Sequence, residues 1–167
     1  PADETELKAA LKFALDSGKS VAVRYPRDAV KSHEFEPEKC RAPFEEGKSV
    51  IVRKGSGNIT LVALGSVLFE ALKAAEMLKE KEIDVTVINA RSAKPVDKKI
   101  ISLLDKQKAI ITLEDHSLAC GFGSAVLELA AEKPNKEDRI GRIITLGRPD
   151  KYIKADSRKA QLDEIGI

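Results

Sequence analysis

The sequence is poor in residues that mark several classes of protein. Among its 167 residues there is no tryptophan, and aromatic residues make up 4%. The two cysteines, Cys40 and Cys120, are far apart and belong to no Cys-x-x-Cys or Cys/His cluster. The sequence therefore indicates neither a zinc site nor a disulfide framework, and we expect two reduced thiols.

An excess of one charge and long apolar runs are also missing. Lys and Arg number 29 against 27 Asp and Glu, and the net charge of +2 is too small to indicate nucleic-acid binding. No apolar span is long enough to cross a bilayer, and the acidic start PADETELK lacks the layout of a signal peptide. We therefore expect a cytoplasmic protein with neither a nucleic-acid nor a membrane partner. Because the chain opens on proline, we expect it to be a piece of a longer protein.

What is present is a regular alternation of strand and helix patterns. From Ser49 onward, the apolar runs SVIVRKG, NITLVALG, DVTVINA, KAIITLED and RIITLGRPD predict strands, and four amphipathic stretches between or after them predict helices. The first two runs flank the turn KGSGN and suggest a hairpin. Ser66 is the expected N-cap of the first of these helices, and Asp156 or Ser157 that of the last. The pattern predicts an α/β fold: a three-layer, mostly parallel sheet with helices on both faces and an antiparallel strand at one edge.

The residues before Ser49 follow a different pattern. Residues 1–30 predict one helix and a short strand, Ser20 to Arg24, which Pro26 ends. This single αβ unit cannot bury its own apolar faces, so we interpret it as the last unit of a preceding domain. Residues 31–48 have no period and many charges, which predicts a linker; His33 within it is expected to be a solvated loop histidine. The predicted division is 1–30, 31–48 and 49–167.

Arginines at strand ends are the first candidates for function. The stretch DVTVINARSAKPV predicts a strand that delivers Arg91 to the carboxyl edge of the sheet, and Arg24 ends the early strand in the same way. Ligands of open α/β sheets bind outside the carboxyl ends of the strands, and a guanidinium suits an anionic group. A solvated surface arginine is the alternative.

Two motifs after the strand KAIITLED are weaker candidates. The loop from Cys120 to Ser124, CGFGS, resembles a phosphate-cradling turn, but it lacks a complete GxGxxG or P-loop pattern, and close helix packing is favoured. The triplet Glu114, Asp115 and His116 cannot converge on one atom, because neighbouring residues of a strand face opposite ways. His116 remains a candidate for lining a cleft, with a general-base role as its less favoured use.

Four segments carry a resemblance to a known family. VRYPR, ITLVALGSVLFEALKAAEMLKE, DVTVINARSAKPVD and AIITLEDHSLACGFGSAVLE resemble, in order and spacing, the carboxy-terminal part of the transketolase-like thiamine diphosphate enzymes. Within that group, RYPR and TLGRPDKYIKADSRKAQLDEIGI resemble the 1-deoxy-D-xylulose 5-phosphate synthases. Three features depart from the synthase pattern: Arg148 replaces a hydrophobic residue, Asp28 a glycine, and Glu-Asp-His a Glu-Glu-Asn. A transketolase or split transketolase subunit is thus the alternative, and a non-catalytic assembly module the second.

The resemblance implies a reaction and a division of labour. Such synthases condense pyruvate with glyceraldehyde 3-phosphate, with loss of carbon dioxide, for isoprenoid precursors, thiamine and pyridoxal. The diphosphate of the cofactor and Mg²⁺ are bound by an amino-terminal domain, and the glutamate that activates the aminopyrimidine lies in a middle domain. This chain is therefore expected to bind neither thiamine diphosphate nor Mg²⁺, to contain no catalytic residue and to be inactive alone. By position, Arg24 and Arg91 would bind the phosphate of the acceptor, Arg27 would brace the turn and Lys94 would add positive potential. The expected partners are the rest of the enzyme and a second copy in a homodimer.

Overall fold

The computed structural model describes residues 1–27, 42–132 and 141–167. The first helix, α1, spans Glu4–Asp16 as predicted, and Asp3 caps it by accepting a hydrogen bond from the Glu6 backbone N–H at 2.7 Å. The segment from Ser20 to Arg24, predicted as a strand, pairs with no strand among the described residues. Most of the predicted linker, including His33 and Cys40, lies outside the described residues.

Five strands form one sheet in the spatial order β1-β3-β2-β4-β5. They are β1 (Val50–Arg53), β2 (Ile59–Leu64), β3 (Thr86–Asn89), β4 (Ala109–Ser117) and β5 (Arg142–Arg148). The pairs β2–β3, β2–β4 and β4–β5 are parallel, and β1 runs antiparallel to β3 at the edge. The predicted mostly parallel sheet with one antiparallel edge strand is confirmed.

The predicted hairpin between β1 and β2 is wrong. β1 pairs with β3, with Ile51 opposite Ile88, so β3 separates the two strands that are adjacent in sequence. The four central residues of β2 are buried, and parallel neighbours on both of its edges exclude β1. The connecting loop instead crosses the start of β3, where the Gly57 N–H donates to the Asp84 carbonyl at 2.9 Å. A Cβ at Gly57 would collide with that carbonyl oxygen.

Helices cover both faces of the sheet, which confirms the three-layer prediction. On one face α2 (Leu68–Lys79) packs with α5 (Arg158–Ile165); on the other, α3 (Lys98–Ser102) packs with α4 (Phe122–Ala131). Alternate strand residues feed the two cores, so that Leu61 and Val87 join the first core whereas Val62 and Ile88 join the second. Among the described residues no helix is long and apolar enough to cross a membrane.

The expected helix caps are only partly correct. Ser157 caps α5 by accepting from the Ala160 N–H at 3.2 Å. Ser66 does not cap α2, because a short 3-10 turn over Gly65–Val67 precedes the helix and makes Val67 its N-cap. The Ser66 hydroxyl instead accepts a hydrogen bond from Arg158.

Asp97 fastens the loop after β3 to the start of β1. Its carboxylate accepts the Lys99 N–H at 2.9 Å, which caps α3, and the N–H and hydroxyl of Ser49 at 2.8 and 2.7 Å. Burial raises the pKa of Asp97, but these hydrogen bonds outweigh burial and leave the pKa below its usual 3.8. The ionised form is therefore the one that stabilises the fold. Its contribution is complete above the unfolded-state pKa and is lost as the pH falls through the folded-state pKa.

We predict that Asp97→Ala lowers the free energy of unfolding at pH 7 by about 1–3 kcal/mol, because a helix cap and a buried acceptor are lost. Urea denaturation measures this change, and the difference from wild type should shrink as the pH falls below 3.8. The matched control is Asp16→Ala, whose side chain is 63% exposed and should change stability by less than about 0.5 kcal/mol. Equal effects of the two substitutions on the free energy of unfolding would show that the hydrogen bonds of Asp97 do not stabilise the fold.

Candidate functional site

The carboxyl ends of the parallel strands border an open cleft of about 1080 Å³. Residues 19–27 and the loop after β3 line other parts of its wall. Arg24, Arg91, Lys94 and His116 all line this cleft, and they come from three separate stretches of the sequence, with Arg91 and Lys94 in the same loop. Their side chains differ greatly in exposure and in partners.

Arg91 has an unusual backbone conformation. After β3 ends at Asn89, the Ala90 N–H donates to the Ala63 carbonyl at 2.8 Å, and Arg91 then takes a φ of 61°. This left-handed conformation costs a residue with a side chain about 1–2 kcal/mol. The Asn89 side-chain oxygen accepts the Arg91 N–H at 3.1 Å and so helps to hold the turn. Surrounding structure therefore maintains Arg91 in a strained position.

The Arg91 guanidinium is buried among acceptors. Its Nε donates to Glu6 Oε1 at 2.7 Å, its Nη2 to the Ala42 carbonyl at 2.7 Å and its Nη1 to the Pro43 carbonyl at 2.9 Å. The Phe44 ring lies 5.2 Å from the guanidinium carbon, and the side chain is only 1% exposed. The interpretation of Arg91 as a solvated surface residue is therefore wrong. A ligand could reach this guanidinium only if one of its carbonyl partners gave way.

Glu6 is the partner that sequence reasoning missed. An acidic residue in the first turn suits a helix amino end, yet Glu6 is fully buried. Its carboxylate accepts the Ala2 N–H at 2.6 Å, Asn89 Nδ2 at 2.9 Å and Arg91 Nε at 2.7 Å. A signal was present, because Glu6 and the buried Ala10 are spaced by four and so lie on the same face of α1.

The other cationic side chains at this part of the cleft face solvent. Arg24, Arg27 and Lys94 are all exposed. Lys19 is also exposed and pairs with Glu46 at 2.6 Å, an interaction that water screens. Of the two arginines predicted to bind an anion, Arg24 is therefore the exposed one and Arg91 the buried one.

The glycine loop is not open to a phosphate, because Glu114 occupies the amino end of α4. The Phe122 N–H donates to Glu114 Oε2 and the Gly123 N–H to Oε1, both at 2.7 Å, and Glu114 is 1% exposed. A Cβ at Gly121 would collide with this carboxylate, and one at Gly123 would lie 2.9 Å from the Thr112 hydroxyl. The favoured interpretation of close helix packing is confirmed, with an internal carboxylate in the anion position.

Asp115 and His116 have roles separate from that of Glu114. Asp115 accepts hydrogen bonds from Arg148 Nε at 2.9 Å and from Arg158 Nε at 3.2 Å. Arg158 also donates to Ser66 at 2.9 Å, so it spans the crevice between the ends of β2 and β4 where the strand order reverses. His116 Nδ1 lies 3.2 Å from the Ser117 carbonyl at the cleft wall. As expected, the triplet does not converge on one atom.

The sequence from the linker end to the carboxyl terminus matches a known family. Residues 47–167 match the transketolase C-terminal domain family, and the chain belongs to it. Among curated relatives, it is similar to 1-deoxy-D-xylulose-5-phosphate synthase 2 of Geobacter sulfurreducens (38% identity, 100% of this chain, 26% of the relative). The synthases of Heliobacterium modesticaldum and Aquifex aeolicus are each 36% identical over 100% of this chain. The chain spans about a quarter of the length of these relatives.

A solved structure shows the same fold. The protein described as "Split gene transketolase, inactive beta4 tetramer" superposes with a TM-score of 0.82 at 31% identity. The match covers 99% of this chain and 52% of that one.

The described residues do not fit a thiamine diphosphate and Mg²⁺ site, which the resemblance assigns to other domains. The glycine loop at the amino end of α4, which resembles a phosphate-cradling turn, is filled by Glu114. Within residues 1–27, 42–132 and 141–167, no three His, Cys, Asp or Glu side chains are grouped to hold a metal ion.

We predict that Glu114→Ala lowers the free energy of unfolding by about 1–3 kcal/mol, since two buried N–H groups lose their acceptor. Thermal or urea denaturation measures the change. Glu128→Ala, at an exposed position on the same helix, is the control and should be close to neutral. A near-neutral Glu114→Ala would mean that water replaces the carboxylate at this helix end.

Proposed function

We propose that the chain is the carboxy-terminal part of a 1-deoxy-D-xylulose 5-phosphate synthase. In this proposal residues 1–30 end the middle domain, residues 31–48 link it to the next, and residues 49–167 form the carboxy-terminal domain. The enzyme condenses pyruvate with glyceraldehyde 3-phosphate, with loss of carbon dioxide, in the cytoplasm, for isoprenoid and thiamine biosynthesis. Thiamine diphosphate and Mg²⁺ are held by the other domains, and the enzyme assembles as a homodimer.

The observation that carries the proposal is the similarity to synthases along the whole chain, including the segment before the family match. The surface of that segment supports it further. Leu15 is 84% exposed, Tyr25 60% and Val21 41%, an unusual amount of uncovered apolar area for one helix and the residues after it. A preceding part of the middle domain would cover these side chains.

Within this enzyme, the chain contributes the binding of the acceptor's phosphate. Arg24, which is exposed at the cleft, makes the first contact. Arg91 completes the site when phosphate oxygens replace the carbonyls of Ala42 and Pro43 as acceptors of its Nη groups. A guanidinium stays charged at working pH and matches two phosphate oxygens. Binding the non-reacting end of the substrate in this way orients its aldehyde for reaction elsewhere.

We predict that Arg24→Ala and Arg91→Ala each raise the KM for glyceraldehyde 3-phosphate by about 10-fold or more, because a charge-assisted hydrogen bond contributes about 1.5–3 kcal/mol. Steady-state kinetics of the active assembly measure this, either as the complete chain or as this chain mixed with its amino-terminal counterpart. Unphosphorylated glyceraldehyde should be used as well by the variants as by wild type. Arg142→Ala, exposed at the opposite end of β5, is the control. An unchanged KM in both variants would refute the phosphate assignment.

The 167-residue protein alone should show no turnover with pyruvate and glyceraldehyde 3-phosphate, and activity should appear on mixing with the missing part. Turnover by the isolated chain would contradict the proposed division of labour. A folded dimer that restores no activity and ignores sugar phosphates would instead indicate an assembly module.

A transketolase is the second candidate, because the superposed split-gene structure is a transketolase and the Glu-Asp-His triplet resembles that of transketolases. The two reactions differ in their donor. A synthase releases carbon dioxide from pyruvate. A transketolase moves a two-carbon unit from a ketose phosphate and releases no carbon dioxide. Measuring both reactions in one reconstituted assembly distinguishes them.

A further inference from the structure

We propose that Glu6 is a positioning residue for the phosphate site: it holds the Arg91 guanidinium and fixes helix α1, which leads to Arg24, against the end of β3. This inference rests on the proposed function, since it concerns the same two arginines. In this inference Glu6 contributes to substrate recognition without contacting the substrate itself.

Burial and geometry single out Glu6. Glu6 is fully buried, and it pairs with Arg91, whose side chain is 1% exposed. Both carboxylate oxygens are used, because Oε2 accepts the Ala2 N–H and Oε1 accepts Asn89 Nδ2 and Arg91 Nε. A buried pair of this kind adds little net stability compared with apolar residues, but loss of one member leaves the other charge uncompensated. The main effect of Glu6 is therefore to fix the position of the Arg91 guanidinium.

The orientation that Glu6 imposes is relevant to an anionic ligand. Nε donates to Glu6, whereas Nη1 donates to the Pro43 carbonyl and Nη2 to the Ala42 carbonyl. Carbonyls are neutral acceptors, so a phosphate can displace them with a gain in charge pairing. Displacing Glu6 from Arg91 would instead leave a buried carboxylate without its counter-ion. Glu6 thus determines which nitrogens are exchangeable.

Glu6 also couples the two arginines through the backbone. Helix α1 ends at Asp16 and runs directly into the segment that holds Arg24. The Phe13 and Phe44 rings lie 5.6 Å apart, so α1 contacts the same 42–44 segment that supplies the Arg91 carbonyl partners. Loosening Glu6 should therefore disturb both sides of the site.

The test compares Glu6→Gln, Glu6→Asp and Glu4→Gln in the active assembly. Glu4 is the matched control: it is on the same helix, but its side chain is 49% exposed and pairs with Lys8. For each variant, kcat/KM is measured with glyceraldehyde 3-phosphate and with glyceraldehyde, and the ratio of the two is the readout. Glu6→Gln should lower the ratio by about 10-fold or more, the loss expected for a charged hydrogen bond, and Glu4→Gln should not change it.

Glu6→Asp keeps the charge and guards against a Glu6→Gln variant that does not fold; it should lower the ratio by a smaller factor. A merely structural Glu6 would depress both acceptors equally and leave the ratio at its wild-type value, and that result in any folded Glu6 variant overturns the inference. If Arg24→Ala and Arg91→Ala also leave the ratio unchanged, the proposed phosphate site has failed and not only the role of Glu6.

Discussion

The ion pair between Glu6 and Arg91 is the interaction on which the arrangement of the cleft depends. Both charges are removed from water, with Nε and Oε1 2.7 Å apart, and each has further hydrogen-bond partners from different parts of the chain. Such a pair is tolerated only when all its polar atoms are satisfied. The pair therefore forms only when three parts of the chain are in place together: the amino-terminal helix, the 42–44 segment and the end of β3. This one contact thus fixes the positions of the three parts relative to one another.

The same principle governs the rest of the carboxyl edge, where carboxylates satisfy donors that a ligand would otherwise meet. Glu114 fills the amino end of α4, and Asp115 holds Arg148 and Arg158 across the crevice where parallel sheets usually bind ligands. Arg148 stands where the synthase pattern has a hydrophobic residue, and its pairing with Asp115 explains how a charge is accommodated there. On another side of the cleft, Arg24 and Lys94 are exposed.

The sheet and its helices could be predicted from the sequence because strand and helix periodicities are local. Strand pairing is not local. β3, and not β1, pairs with β2, because the buried β2 needs a neighbouring strand on both edges. Residues 49–65 contain no pattern from which this pairing could be predicted. The segment from Ser20 to Arg24 has strand composition but no partner among the described strands. For the site, the position of Arg91 at a strand end was predictable. Its burial was not, since the counter-ion Glu6 lies on another element and looks, in sequence, like an ordinary first-turn acid.

The most direct test of the link between the ion pair and phosphate recognition is a double-mutant cycle of Glu6→Gln and Arg91→Met, read out as the preference for glyceraldehyde 3-phosphate over glyceraldehyde. If Glu6 acts through Arg91, the double variant should be scarcely worse than Arg91→Met alone. The coupling free energy should then be about 1 kcal/mol or more, within the range measured for contacting residues. Effects that add to within about 0.5 kcal/mol would contradict the link, because independent residues behave in that way.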